Sequence, residues 1–166
     1  LRDLSKQILH VEEEERKLSD FPAGLQLSWS PDGRWLAAPK GRSGTEPPGG
    51  IYLIPAAGGE PRALTFPKAP AFDISPSFSP DGGALAYASC SGNEGAPVCD
   101  LYRLPLDSEL RASGAAQPLT RQGSNNIGLT WTRDGRSILY SADFELWRIR
   151  ADGGAPPERV ELAGGA

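Results

Sequence analysis

The chain has 166 residues, one domain's length, and its 20 glycines and 16 prolines make 36 residues, about 22% of the total, against a usual share of about 12%. Helix interiors tolerate neither residue, which argues against a helical bundle or coiled coil, and no apolar run approaches the roughly 20 residues of a spanning helix. A net charge of -4 argues against a phosphate-binding surface, so the composition describes a turn-rich, all-β chain.

The chain opens at Leu1 and contains no Met, as expected of a processed form or a segment of something longer. Residues 1–20 contain no apolar signal-peptide core. Leu4, Ile8, Val11 and Leu18 have helical spacing, with Glu12 to Glu15 on a solvated face. Alternatively, Gln7 to Val11 is a strand, and Arg16-Lys17-Leu18-Ser19 matches the later Arg62-Ala63-Leu64-Thr65. On that reading the segment is half of one repeat or a linker.

From residue 21 onward the chain repeats itself. Ser28-Trp29-Ser30-Pro31-Asp32-Gly33-Arg34-Trp35 recurs as Ser77-Phe78-Ser79-Pro80-Asp81-Gly82-Gly83-Ala84 and as Thr130-Trp131-Thr132-Arg133-Asp134-Gly135-Arg136-Ser137. The Asp-Gly pairs lie 49 and then 53 residues apart, a spacing typical of propeller blades. Proline presets φ for the turn, aspartate accepts backbone N–H bonds, and glycine takes the positive φ that restarts the strand. Asp32, Gly33, Asp81, Gly82, Asp134 and Gly135 are therefore expected to be structural turn residues. In the third copy Arg133 replaces proline.

Each copy continues alike. A second strand follows the turn, and a third is carried by Ile51-Tyr52-Leu53-Ile54-Pro55, Leu101-Tyr102-Arg103-Leu104-Pro105 and Leu146-Trp147-Arg148-Ile149-Arg150. A fourth is expected over Glu60–Thr65, Ala116–Thr120 and Pro157–Glu161. Four short strands with turns about every ten residues predict a four-stranded antiparallel meander per unit. The boundaries are 21–66, 67–122 and 123–163, with 164–166 as a tail. Trp29, Phe78, Trp131, Tyr52, Tyr102 and Trp147 are expected in the cores between sheets. The loops over 40–50 and 91–98 are the longest insertions and are the expected contact elements.

Cys90 and Cys99 flank loop chemistry between two strand-like runs, where antiparallel partners come within disulfide range. A disulfide, implying an oxidising compartment, and two free, partly buried thiols are both open. Their spacing matches no zinc signature.

The Trp/Phe-Ser-Pro-Asp-Gly box, the Leu-Tyr-x-Leu-Pro strand and the Gly-Gly-x-Pro-x-x-Leu-Thr ending resemble TolB-type propeller repeats, relatives of WD-repeat blades, over residues 16–162. Asp100 to Leu106, Leu119-Thr120 and the box at Trp131 most resemble propellers attached to bacterial winged-helix regulators and serine/threonine kinases. The resemblance implies a sensory or protein-binding platform, often outside the cytoplasmic membrane, with six or more blades. Three and a half units cannot close such a ring, since the outer sheets keep bare flanks. Further blades or a second copy must complete it.

The sequence offers no catalytic, metal or cofactor constellation. There is no Gly-x-Ser-x-Gly elbow, and the lone histidine is His10. The Asp32, Asp81 and Asp134 triplet is explained by its turns, and Asp73 and Asp100 by structural hydrogen bonding. Arg62, Arg103, Arg148 and Arg150 read as a solvated face, and the nearby aromatics as core. The reading is a non-catalytic interaction or sensor segment with a protein partner or self-association through open faces. It carries no nucleic-acid binding and no membrane insertion, and works in an extracytoplasmic or periplasmic setting. The alternatives are the propeller of a prolyl-oligopeptidase-like peptidase whose triad lies elsewhere, or a self-assembling structural piece.

Overall fold

The computed structural model describes residues 20–24, 26–41, 49–92, 97–125 and 128–161. The two readings of residues 1–19, most of the loops at 42–48 and 93–96, and the tail lie outside them. The described residues form twelve strands in three sheets. The first comprises β1 (Ser28–Trp29), β2 (Trp35–Pro39), β3 (Ile51–Pro55) and β4 (Arg62–Ala63). The second comprises β5 (Phe72–Phe78), β6 (Ala84–Ser91), β7 (Val98–Pro105) and β8 (Gln117–Pro118). The third comprises β9 (Gly128–Trp131), β10 (Ser137–Ala142), β11 (Glu145–Arg150) and β12 (Glu158–Arg159). Within each sheet the strands are antiparallel and adjacent in chain order, a meander built from contiguous sequence.

The repeated turn makes each β1–β2-type hairpin. Ser30 Oγ donates to Asp32 Oδ1 at 2.6 Å, Arg34 N donates to the same oxygen at 3.0 Å, and Trp35 N donates to Ser30 Oγ at 2.9 Å. The second copy repeats these at 2.6, 3.0 and 2.9 Å through Ser79, Asp81, Gly83 and Ala84. The third does so at 2.6, 3.1 and 3.1 Å through Thr132, Asp134, Arg136 and Ser137. Gly33, Gly82 and Gly135 take φ of 68°, 74° and 69°, the left-handed region that costs a residue with a Cβ. The network survives the loss of proline at Arg133, because the side-chain hydrogen bonds close the turn.

The hydrophobic core lies between sheets, not within one. The middle sheet is apolar on both sides because the two faces of β6 alternate. Leu85 and Tyr87 join Ala37, Ile51 and Leu53 of the first sheet. Ala86, Ala88 and Cys90 join Ile138, Tyr140 and Ile149 of the third. Small residues on the second of these faces let the third sheet approach closely. Each fully buried Leu or Ile removed from water contributes about 1.5–3 kcal/mol before entropy is counted. Radial packing of this kind is what a propeller consists of, and among the described residues the ring is open.

Two expectations need correction. The fourth strands are shorter than expected, two residues each at Arg62–Ala63, Gln117–Pro118 and Glu158–Arg159. Their neighbouring prolines lack a ladder donor, and the outermost strand has a single partner. Trp29 is not in a core but 55% exposed. Its counterpart Trp131 packs back onto the preceding sheet and donates its indole N–H to Ser77 O at 3.0 Å. By the same geometry Trp29 faces the position of a sheet preceding the first, where the described residues supply none.

Candidate functional site, the cleft between the second and third sheets

Four of the other five residues expected in the core divide between the two seams. Phe78 is buried and Tyr102 packs on the first-to-second seam, where Tyr87 and Tyr102 stack with centroids 5.8 Å apart. Trp131 and Trp147 pack on the second-to-third seam. Tyr52, expected in a core, belongs to neither seam: it is half-buried and meets Phe21 with centroids 4.8 Å apart, on the side of the first sheet that no described sheet covers. Burial pushes the Tyr140 hydroxyl up to about 12 and raises Tyr87 further.

Cys90 and Cys99 are directly opposed on β6 and β7 and are bonded, with S–S 2.07 Å. Both are 1% exposed, so the bridge is a buried staple. The three turn aspartates are held below the usual carboxylate range, first by their Ser or Thr hydroxyls and then by backbone N–H groups. They occupy three separate turns, and the described residues contain no cluster of three His, Cys, Asp or Glu side chains suited to a metal.

Asp73 and Asp100 are hydrogen-bonded within the fold. Asp100 Oδ1 accepts from Thr120 Oγ1 at 2.9 Å and Gly123 N at 3.2 Å. Asp73 is buried on β5, which raises its pKa, partly offset by hydrogen bonds from Thr65 and Ser89. Its backbone N–H reaches Gly49 O at 3.0 Å. Next to Gly49, a Cβ on Gly50 would meet Thr65 O at 2.2 Å, so only glycine allows the first sheet to close here.

The two seams end differently on the face that carries the Asp-Gly turns. At the first-to-second seam the eleven residues 106–116 between β7 and β8 fold back over the opening. Asp107 Oδ1 accepts from Glu109 N and Arg111 N. Leu110, at φ 56°, is buried in the seam core, a backbone cost of about 1–3 kcal/mol offset by its burial. Arg62 crosses from β4, donates to Glu109 O at 3.0 Å and Leu110 O at 3.3 Å, and lies 5.5 Å from the Trp35 ring centroid.

At the second-to-third seam the corresponding connection, residues 151–157, is only seven long, and a cleft of about 750 Å³ remains. Asp81, Arg103 and Gln117 line it from the second sheet, and Trp131, Arg136 and Ser137 from the third, with Arg150 and Asp152 at its edge. Arg150 clasps Asp152 bidentately, Nε to Oδ1 at 3.1 Å and Nη2 to Oδ2 at 2.5 Å. This clasp, helped by Gly154 N, draws Asp152 down to about 2. The four arginines that sequence reading treated as one solvated group thus have separate roles. Arg62 clamps a loop, Arg148 pairs with Glu158 in solvent, Arg150 holds Asp152, and Arg103 is half-buried in the cleft wall.

Three radially packed meanders with this turn chemistry define a propeller segment, and similarity to known proteins points the same way. No family model matches the chain. An uncharacterized protein of Agrobacterium fabrum is 30% identical over 119 residues, which cover 69% of this chain and 36% of that protein. The uncharacterized peptidase YuxL of Bacillus subtilis is 31% identical over 130 residues, 78% of this chain and 17% of the peptidase. The chain therefore spans well under half the length of either relative.

Among solved structures, TolB from Acinetobacter baumannii matches with a TM-score of 0.61 at 23% identity, over 84% of this chain and 32% of TolB. Prolyl oligopeptidase B from Galerina marginata matches at 0.58 and 12%, over 84% and 21%. The β-propeller domain of the Trilobed protease from Pyrococcus furiosus matches at 0.54 and 16%, over 86% and 44%. The fold is a TolB-like β-propeller segment.

Proposed function

We propose that this chain is a non-catalytic propeller segment of a larger bacterial protein, serving as an interaction or sensory module outside the reducing cytoplasm. The observation that supports it most is the contrast between committed and uncommitted polar groups. The turn aspartates, Asp73 and Asp100 are all spent on holding the fold, while an open cleft presents guanidinium and amide groups from two rigid sheets. Rigid strands that display a few convergent polar groups form a recognition surface. The buried Cys90–Cys99 bridge supports an oxidising compartment, where such bonds persist.

The peptidase relative in Bacillus subtilis and the prolyl oligopeptidase likeness favour a second reading, a propeller that accompanies a hydrolase domain. The similarities described above do not include a winged-helix regulator or a kinase, so attachment to either rests on the sequence motifs alone. The complete reading frame around these residues tests the proposal. A sensor, regulator or kinase domain beside the blades supports it. A Gly-x-Ser-x-Gly elbow with downstream acidic and histidine partners would overturn it in favour of the peptidase.

A further inference from the structure

We propose that the cleft between the second and third sheets is a seat for a carboxylate carried by an acidic peptide segment, held between Arg103 and Arg136 beside Trp131. The equivalent position in the first sheet shows why Arg103 is informative. Leu53 pairs with Ala37 on one side and Arg62 on the other, and Arg103 pairs with Ala86 and Gln117 in the same register. Where the first sheet fully buries Leu53, the second places a half-buried guanidinium.

Among the described residues the Arg103 side chain makes no hydrogen bond or ion pair, and its charged neighbour is Asp81. Asp81 already accepts from Ser79 Oγ and Gly83 N. A guanidinium offers five donors in a planar fork shaped for a carboxylate, and partial burial makes leaving it unpaired costly. Arg136 lies on the opposite wall, on the third sheet's turn; its side chain is likewise without a hydrogen bond among the described residues, and its charged neighbour is Asp134, which already accepts from Thr132 Oγ1 and Arg136 N.

Charge selects the ligand. Three arginines (103, 136 and 150) minus two aspartates (81 and 152) line the cleft, a net of one positive charge on a chain whose total is -4. One carboxylate balances that charge. A phosphate dianion overfills it and meets two aspartates, and a polyanion meets an acidic protein. Trp131 has already donated its indole N–H to Ser77 O, so it offers an apolar ring face to whatever flanks the acid. The volume, about 750 Å³, is in the range of sites that enclose a ligand of several residues. A free dicarboxylate fills little of it.

The assignment deepens the interaction-module reading and rests on it, but the two fail separately. A hydrolase elbow in the reading frame would remove the module and leave the cleft, whereas absent binding would remove the seat and leave the module. The test is calorimetric titration of the intact chain with N-acetyl-Ala-Glu-Ala amide, which carries one carboxylate, N-acetyl-Ala-Lys-Ala amide, succinate and inorganic phosphate. The expected result is saturable binding of the glutamate peptide, weaker binding of succinate, and none of the lysine peptide.

R103L installs the residue that the first sheet carries at this position, and is expected to weaken the glutamate peptide about tenfold with an unchanged circular dichroism spectrum. R136G, which copies Gly83 of the second sheet, should act in the same direction. R34G, on the corresponding turn at the first-to-second mouth, should leave binding unchanged. The smaller cavity there, about 440 Å³, is lined by arginines already partnered, Arg34 by Asp32, Arg62 by Glu109 O and Arg111 by Glu109. Succinate binding as tightly as the peptide would overturn the peptide assignment, and phosphate binding as tightly would overturn carboxylate selectivity. No saturable binding at millimolar probe, or affinity unchanged from the native chain in both R103L and R136G, would overturn the seat itself. Should R103L fail to fold, R136G decides the matter.

Discussion

The two seams of this chain are built from the same repeat and end up with opposite character. Between the first and second sheets, Phe78 N bonds Ser28 Oγ at 3.1 Å, Asp73 reaches both Gly49 O and Thr65, and Arg62 with Leu110 narrows the mouth to a cavity of about 440 Å³. Between the second and third, an indole-to-carbonyl bond and a core rich in alanine hold the sheets together, and the mouth stays open. The difference traces to one connection four residues longer and one strand position that is Leu53 in one sheet and Arg103 in the next. A repeat fold can thus keep its scaffold constant and turn a single seam into a site by shortening a loop and substituting one inward residue.

The largest expected effect breaks the narrower seam. L110A removes a side chain that plugs it, and should lower unfolding stability by about 3 kcal/mol in urea denaturation, with no loss of acidic-peptide affinity at the other seam. A stability change within experimental scatter would show that the loop over 106–116 rests on the seam without supporting it.

Next comes the staple on the other side. C90A/C99A removes a bridge that closes a short loop, and should cost about 2–3 kcal/mol. Adding a reductant to the native chain should have a similar effect under denaturing conditions and little otherwise, because both sulfurs are buried. Free thiols detected by alkylation of the unfolded, unreduced chain would contradict the bond.

The smallest effect is a pH dependence at Asp73. Its pKa is raised in the folded state, so the folded chain holds the proton more tightly than the unfolded chain. Stability contributed by the protonated form is therefore full below the ordinary value of 3.8 and falls as pH rises through the higher folded value. The turn aspartates, with lowered pKa values, act oppositely and only below that ordinary value. D73N should flatten the fall in denaturation midpoint above pH 4, and an unchanged slope would assign it to another group.

Much of this architecture was legible in the sequence because its determinants are local. Ser-x-Asp-Gly encodes its own hairpin through neighbours within five residues, and three copies fix the strand order. Pro55 and Pro105 end their strands, where no further ladder donor is needed, and a tight turn at Asp143-Phe144 joins the next pair, β10 and β11, with φ of 51° and 65°. Long-range context was not legible. Trp29 and Trp131 read alike, yet one is exposed and the other engaged, since an aromatic at this position is buried by the preceding sheet. The cleft was missed for a related reason. Arg103 looks like its neighbours on the strand until the register shows it opposite Ala86, in line with Leu53. Aligning the third strands of the copies, Leu53 against Arg103, was the available signal.

The most direct measurement is a two-dimensional amide NMR titration of the ¹⁵N-labelled chain with N-acetyl-Ala-Glu-Ala amide. The account predicts shifts concentrated at residues 81–83, 103, 117, 135–137 and 150–152, with 32–35 and 108–111 at the narrower first-to-second mouth unmoved. Equal shifts at both seams, or shifts confined to the loops over 40–50 and 91–98, would contradict it.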